Sequence, residues 1–174
     1  MISDFNLRPK IYEALTRQII HVQNKPPEGV RINADEINVQ KIFAEIDGPI
    51  TTPYEGGTFK MVLEVCSDFP AVPPKGYFIT KIFHPNISTR GEICVNTLKK
   101  EWDPKKFSLF NILEVIKCLL IVPFPESSLN EEAGKLFMED YQEYSSRAKL
   151  MTSIYAMKQN DENKNVLKVK GEEV

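Results

Sequence analysis

Apolar residues recur at Ile11, Leu15, Ile19 and Val22 with polar ones between them, a spacing that predicts an amphipathic helix over residues 9–22. Pro9 suits its first turn, where a missing N–H costs nothing, and Asn24-Lys25-Pro26-Pro27-Glu28-Gly29 ends it. From residue 30 to 82 the period drops to two. Phe59, Met61, Leu63 and Val65 alternate with Lys60, Val62 and Glu64, and weaker alternations run over Val39–Ile46 and Tyr77–Ile82. Asp47-Gly48-Pro49 and Tyr54-Glu55-Gly56-Gly57 read as turns, and Pro70, Pro73 and Pro74 separate the last two strands. The pattern predicts an antiparallel meander of three or four short strands.

The helical period returns beyond residue 107. Ser108 is placed to cap a helix carrying Ile112, Ile116 and Leu119 on one side, which must end before Pro123 and Pro125. Asn130 opens another helix with Glu131 and Glu132 at its positive end, and Tyr141, Tyr144, Ala148, Met151 and Tyr155 extend a helical stripe to about Lys158. Residues 159–174 are polar and aperiodic, so the expected organisation is one folded domain over 1–158 followed by a short mobile tail. Helix, strand run, helices is the segregated order of an α+β domain. The anomaly is the aperiodic stretch from Phe83 to Phe107, too long for an ordinary connection and too rich in Ile, Cys, Leu and Trp to be disordered.

Composition adds limits. The 174 residues are 42% hydrophobic and 26% charged with a net charge of −2, so no global basic field points to nucleic acid or to an anionic membrane. Apolar runs are too short to span a bilayer, and Met-Ile-Ser-Asp-Phe-Asn lacks the layout of a signal peptide. Cys66, Cys94 and Cys118 form no Cys-x-x-Cys pair, and with His21 and His84 as the sole imidazoles a structural metal is not expected. A reducing compartment, cytosol or nucleus, follows.

Cys94 is the candidate nucleophile, because it sits in the aperiodic stretch with His84-Pro85-Asn86 before it and Trp102 after it. Three readings are open. A protease-type dyad would use His84 as base; an inert thiol would be a small buried apolar residue, the reading given to Cys66 and Cys118. The third is an acyl acceptor that takes a group from another thioester and passes it to an amine. That exchange is nearly balanced in energy and asks mainly for positioning and oxyanion stabilisation, for which Asn86 offers a side-chain amide.

His84-Pro85-Asn86-Ile87, Gly91-Glu92-Ile93-Cys94-Val95, Leu98, Trp102 and Pro123-Phe124-Pro125-Glu126-Ser127-Ser128-Leu129 together resemble ubiquitin-conjugating enzymes. Gly48-Pro49, Thr52 to Phe59 and Phe69 to Lys75 fall in the same order and spacing, so the resemblance covers about residues 7–157. It implies the ubiquitin-conjugating fold: an N-terminal helix, a four-stranded antiparallel sheet and C-terminal helices. Cys94 would carry ubiquitin as a thioester received from the ubiquitin-activating enzyme. Asn86 would stabilise the oxyanion or brace the nearby loop, while His84, Pro85 and Trp102 would be structural. Ser127 stands where many members have Asp, and would orient the incoming lysine or receive phosphate; Leu129 would help confine the thioester.

The segments around Cys94 and Ser127 look most like the branch that elongates ubiquitin chains with the anaphase-promoting complex. This implies acceptor-ubiquitin contacts at Asn96, Lys100 and Glu101. Activating-enzyme and ligase contacts, the latter of RING type, would involve Arg17, Pro70, Ala71 and Pro104. Substrates would be protein lysines. No bound cofactor is implied, ATP being consumed by the activating enzyme. A carrier of a ubiquitin-like modifier and a catalytically silent scaffold that binds ubiquitin or a ligase are the alternatives.

Overall fold

The computed structural model describes residues 7–33, 39–100, 102–106 and 108–158. Helix α1 (Pro9–Asn24) buries Leu15, Ile19 and Val22, with proline in its first turn as expected. Strands β1 (Val30–Ile32), β2 (Lys41–Asp47), β3 (Thr58–Glu64) and β4 (Lys75–Phe78) follow, all antiparallel and in the order β1-β2-β3-β4. The α+β expectation and the four-stranded meander are both met. Ile46, Phe59, Met61 and Leu63 point into the core, as the two-residue period requires. On the opposite face Val62 pairs in register with Phe43 and Tyr77, which buries a residue that alternation alone places in water.

The fourth strand is shorter and earlier than the Tyr77–Ile82 alternation suggests. The Ile79 and Thr80 N–H groups both turn to the Lys60 carbonyl, and the ladder stops there. The edge of β4 is then covered by the aperiodic stretch. Phe78 N–H donates to Gly91 O at 2.7 Å and Ile93 N–H donates to Gly76 O at 2.9 Å, so residues 91–93 run beside β4 and deliver Cys94 at its end. Gly91 has φ +93°, and a Cβ on it would lie 2.1 Å from the Phe78 carbonyl oxygen. Glycine is required there twice over.

A short helix that the sequence pattern did not announce, α2 (Val95–Lys100), starts directly after Cys94. Helix α3 (Leu109–Ile121) is capped by the Ser108 hydroxyl, which accepts from Asn111 N–H, and it buries Leu109, Ile112, Leu113, Ile116, Leu119 and Leu120. Gln18 of α1 accepts from Leu109 N–H at 2.7 Å, which holds the two helices together. A 3-10 turn (Pro125–Ser127) leads to α4 (Glu131–Glu139), capped by the Asn130 side chain, and then to α5 (Tyr141–Tyr155). Among the described residues, no helix is long and apolar enough to cross a membrane. The tail expected over 159–174 lies outside them.

Two expectations are corrected. Cys118 is exposed and Cys66 half-buried, whereas Cys94 is the buried thiol. The apolar face of α3 is centred near Ile116, and two residues further on the helix has turned about 200°, so Cys118 points outward. Along α5 the buried positions are Tyr144, Ala148 and Thr152, while Tyr141 and Tyr155 are exposed. Asp140 ends α4 through its N–H and caps α5 through its side chain, which resets the stripe, and Thr152 satisfies its own hydroxyl on the Ala148 carbonyl.

Gly91→Ala combines a left-handed backbone with a clash against backbone. It is expected to lower stability by about 2 kcal/mol or more, read as the urea midpoint, while Ala at exposed Arg90 leaves it within about 0.5 kcal/mol.

Candidate active site

The site is assembled from three segments far apart in sequence: the turn at His84–Asn86, the Cys94 residue that opens α2, and the loop from Phe124 to Asn130. Their connections follow from orphaned backbone groups. The carbonyl of Leu119, near the end of α3, would ordinarily accept from residue 123, but that residue is proline and has no N–H. His84 supplies the missing donor: its Nε2 lies 2.8 Å from the Leu119 oxygen. The other ring nitrogen, Nδ1, accepts from Asn86 N–H at 3.0 Å, which fixes the proton on Nε2.

Asn86 is 0% exposed and uses every polar group it has. Its Nδ2 donates to Phe124 O at 2.5 Å and to Ser127 O at 3.1 Å, and its Oδ1 accepts from Phe124 N–H at 2.7 Å. Its backbone carbonyl accepts from Cys94 N–H at 3.0 Å. One residue therefore holds the cysteine on its main chain and the 124–127 loop on its side chain. Pro85 adds a second stitch, its carbonyl accepting from Leu129 N–H at 2.8 Å and Asn130 N–H at 3.1 Å.

Two clefts flank α2. Cys94, 5% exposed, lines one of about 580 Å³ together with Leu129, Cys66, Pro74 and Tyr77. Ser127 lines the other, of about 860 Å³, with Phe124, Cys118, Lys100 and Val122. Asn96 and Lys99 border both, so α2 is the ridge between them. The Lys100 ammonium sits 4.5 Å from the centre of the Phe124 ring, a cation–π contact across the mouth of the second cleft. Among the described residues, no three His, Cys, Asp or Glu side chains converge as a metal would require.

Residues 14–152 match the family model described as ubiquitin-conjugating enzyme. The chain is 54% identical over 151 residues to the ubiquitin-conjugating enzyme E2 S of Nematostella vectensis, covering 87% of this chain and 74% of that one. It is 49% identical over 156 residues to ubiquitin-conjugating enzyme E2 22 of Arabidopsis thaliana, covering 90% of this chain and 62% of the relative's length. The chain belongs to the ubiquitin-conjugating enzyme family. A crystal structure described as a ubiquitin conjugating enzyme from Plasmodium yoelii superposes with a TM-score of 0.75 at 32% identity, covering 85% of this chain and 96% of that one.

A ubiquitin-conjugating enzyme is an acyl transferase working through a cysteine thioester, and the geometry limits how its groups can serve that chemistry. Both His84 nitrogens are occupied inside the fold, so the ring has no free nitrogen to offer a thiol. Ser127 projects into the cleft opposite to the one that Cys94 lines, with its carbonyl on Asn86. Leu129 does share the Cys94 cleft and is 44% exposed. Trp102 donates through Nε1 to Pro70 O at 2.8 Å and packs on Phe69 with ring centres 5.6 Å apart, tying the end of the aperiodic stretch to the 69–71 loop. Asn96, Lys100, Arg17, Ala71 and Pro104 are exposed, and Glu101 lies outside the described residues.

Sequence reasoning overlooked the Leu119 carbonyl and the Phe124 main chain as partners in the site. Pro123 was the available signal, because a proline four residues after a helical carbonyl leaves that carbonyl in need of another donor.

Burial lowers the His84 pKa from 6.5 to about 4, against the opposing effect of its bond to Leu119. The unfolded chain therefore takes up a proton between pH 6.5 and 4 that the folded chain refuses, and stability falls as pH drops through that window. The loss between pH 7 and 4.5 is expected to be about 2 kcal/mol, measured as urea midpoints at the two pH values. His84→Gln should be less stable at pH 7 and show a flatter profile over the same range.

Proposed function

We propose that Cys94 is the thiol that carries ubiquitin, and that the chain passes it to a lysine of another protein or of a second ubiquitin. The observation that carries the assignment is the Asn86 clamp, which binds the main chain of Cys94 and of the 124–127 loop at once. Neither Cys66 nor Cys118 is among the hydrogen-bond partners of Asn86. Cys94 also lines an open cleft, so a thiol held by a rigid turn faces a space that a peptide tail can enter.

In the first step the Cys94 sulfur attacks the carbonyl carbon of the thioester on the activating enzyme. A new C–S bond forms, the old one breaks, and the departing thiolate takes up the proton that Cys94 releases. In the second step a lysine amine attacks the same carbonyl, the C–S bond to Cys94 breaks, and the proton lost by the amine returns to the sulfur. His84 is committed to the scaffold through both ring nitrogens and Ser127 is a hydroxyl, so neither supplies a strong base to the thiol. Rate therefore comes from holding thioester and amine together and from stabilising the tetrahedral oxyanion.

Asn86 serves this chemistry by bracing. With both Nδ2 protons on carbonyls, it fixes the wall past which the amine must approach; donating to an oxyanion would require it to release one of those bonds. The apolar side chains of the larger cleft, Val115, Ile121, Val122 and Phe124, offer a resting face for the body of the carried protein beside its tethered end. Exposed Asn96 and Lys100 of α2 are assigned as contacts for an acceptor ubiquitin, the role that chain elongation requires.

Partner surfaces follow the same reasoning. The Trp102 bond to Pro70 brings half-buried Pro70 and exposed Ala71 toward exposed Asp103 and Pro104, the edge assigned to a RING-type ligase, and exposed Arg17 of α1 is assigned to the activating enzyme. We assign no bound cofactor, ATP being used upstream, and a working place in the cytosol or nucleus.

The chain incubated with activating enzyme, ATP and ubiquitin should form a conjugate that reductant removes on a gel. Cys94→Ser should trap ubiquitin as a reductant-resistant ester, whereas Cys66→Ser and Cys118→Ser should still charge. Charging with a ubiquitin-like modifier alone would favour the carrier alternative, and no conjugate with any modifier would leave a silent scaffold. Asn86→Ala should charge yet discharge to free lysine slower by about tenfold or more, with about 10²–10³ marking loss of an oxyanion donor as well.

A further inference from the structure

Beneath the site lie two tyrosines that the transfer chemistry does not use. Tyr54, in the turn between β2 and β3, and Tyr144, in α5, are both sealed from solvent. Their hydroxyl oxygens are 2.5 Å apart, and the Tyr54 oxygen is 2.7 Å from the carbonyl oxygen of Phe83. A carbonyl only accepts, so the single Tyr54 proton goes to Phe83 and Tyr144 must donate to Tyr54. The protons are ordered in one direction, from α5 to the residue that enters the His84 turn.

Two further contacts fix the same place. The Tyr54 ring lies 5.8 Å from the His84 ring, and the Tyr144 ring packs 6.0 Å from that of Phe83. Burial pushes the Tyr144 phenol up to about 12 and Tyr54 well above its ordinary value, so both keep their protons at any working pH. Phenylalanine would fill either space without the cost of drying a hydroxyl. What the hydroxyls add is direction: they hold one carbonyl at one height.

We propose that Tyr54, backed by Tyr144, is a positioning residue for ubiquitin transfer. By holding the Phe83 carbonyl it sets the His84–Asn86 turn, and through Asn86 it sets the 124–127 loop relative to Cys94. The inference rests on the roles given above to Cys94 and Asn86. It adds α5, remote in sequence from the thiol, to the parts that determine the transfer rate.

The test is single-turnover discharge of preformed ubiquitin thioester to free lysine over a range of lysine concentrations, at a temperature where each variant is folded by circular dichroism. Tyr54→Phe should still charge, lose about 5–20-fold in kcat and keep KM within about twofold, the scale of one buried hydrogen bond acting on geometry. Tyr144→Phe keeps the bond to Phe83 and should lose about 2–5-fold. Tyr141→Phe, an exposed neighbour on the same helix, should discharge at the wild-type rate.

Because Tyr54 is argued to act through Asn86, Tyr54→Phe should add nothing to the loss already caused by Asn86→Ala. Losses that multiply in the double variant overturn the inference, as does a Tyr54→Phe chain that melts lower yet discharges at full rate. If Tyr54→Phe does not fold, Tyr144→Phe is judged by the same two criteria. A wild-type chain that takes no ubiquitin overturns the reading of Cys94 and this inference with it, whereas full-rate discharge by charged Tyr54→Phe and Tyr144→Phe overturns this inference alone.

Discussion

A buried amide must spend all its hydrogen bonds inside the protein, and the Asn86 side chain spends its three on the loop from Phe124 to Ser127. Each bond contributes only about 1 kcal/mol net, but each partner left unpaired in a dry site costs about 1–3 kcal/mol. The turn and the loop therefore cannot separate by small steps. Cys94, bonded to the carbonyl of the same residue, inherits that rigidity. With His84 committed elsewhere, the proposed transfer depends on that rigidity, because positioning is what the clamp has to offer.

The same constraint explains why the histidine two residues before Asn86 is not available for acid–base work. Pro123 deprives the Leu119 carbonyl of its helical donor, and the His84 ring fills the vacancy from 35 residues earlier in the chain. Once Nε2 is engaged and Nδ1 holds Asn86, the imidazole is part of the scaffold, and burial keeps it neutral. The scaffold role of the ring thus follows from donor and acceptor accounting in a single chain.

The position of α2 divides the site. A ridge of one short helix separates the cleft containing Cys94 and Leu129 from the one containing Ser127 and Phe124, with Asn96 and Lys99 on both sides. On the proposed reading, a protein tethered at Cys94 and an approaching lysine have distinct faces available. The exposed Cys118 lines the second cleft. Ile116 and Leu120, two residues away on either side, are buried on the other face.

Local pattern determined much of this protein. The 3.6-residue stripes of α1 and α3, the alternation in β3, the caps at Ser108 and Asn130, and the proline stops are all consequences of side chains within a few residues of each other. The same is true of the candidate thiol, which stood out by motif. Tertiary structure alone decided which cysteine is buried, where the α5 stripe resets, and that β4 is closed by residues 91–93. It also decided that His84 serves Leu119 and that Asn86 serves Phe124 and Ser127. Those facts depend on which orphaned donor meets which orphaned acceptor once the elements pack, and hydrogen-bond partners separated by dozens of residues leave no periodic trace along the chain.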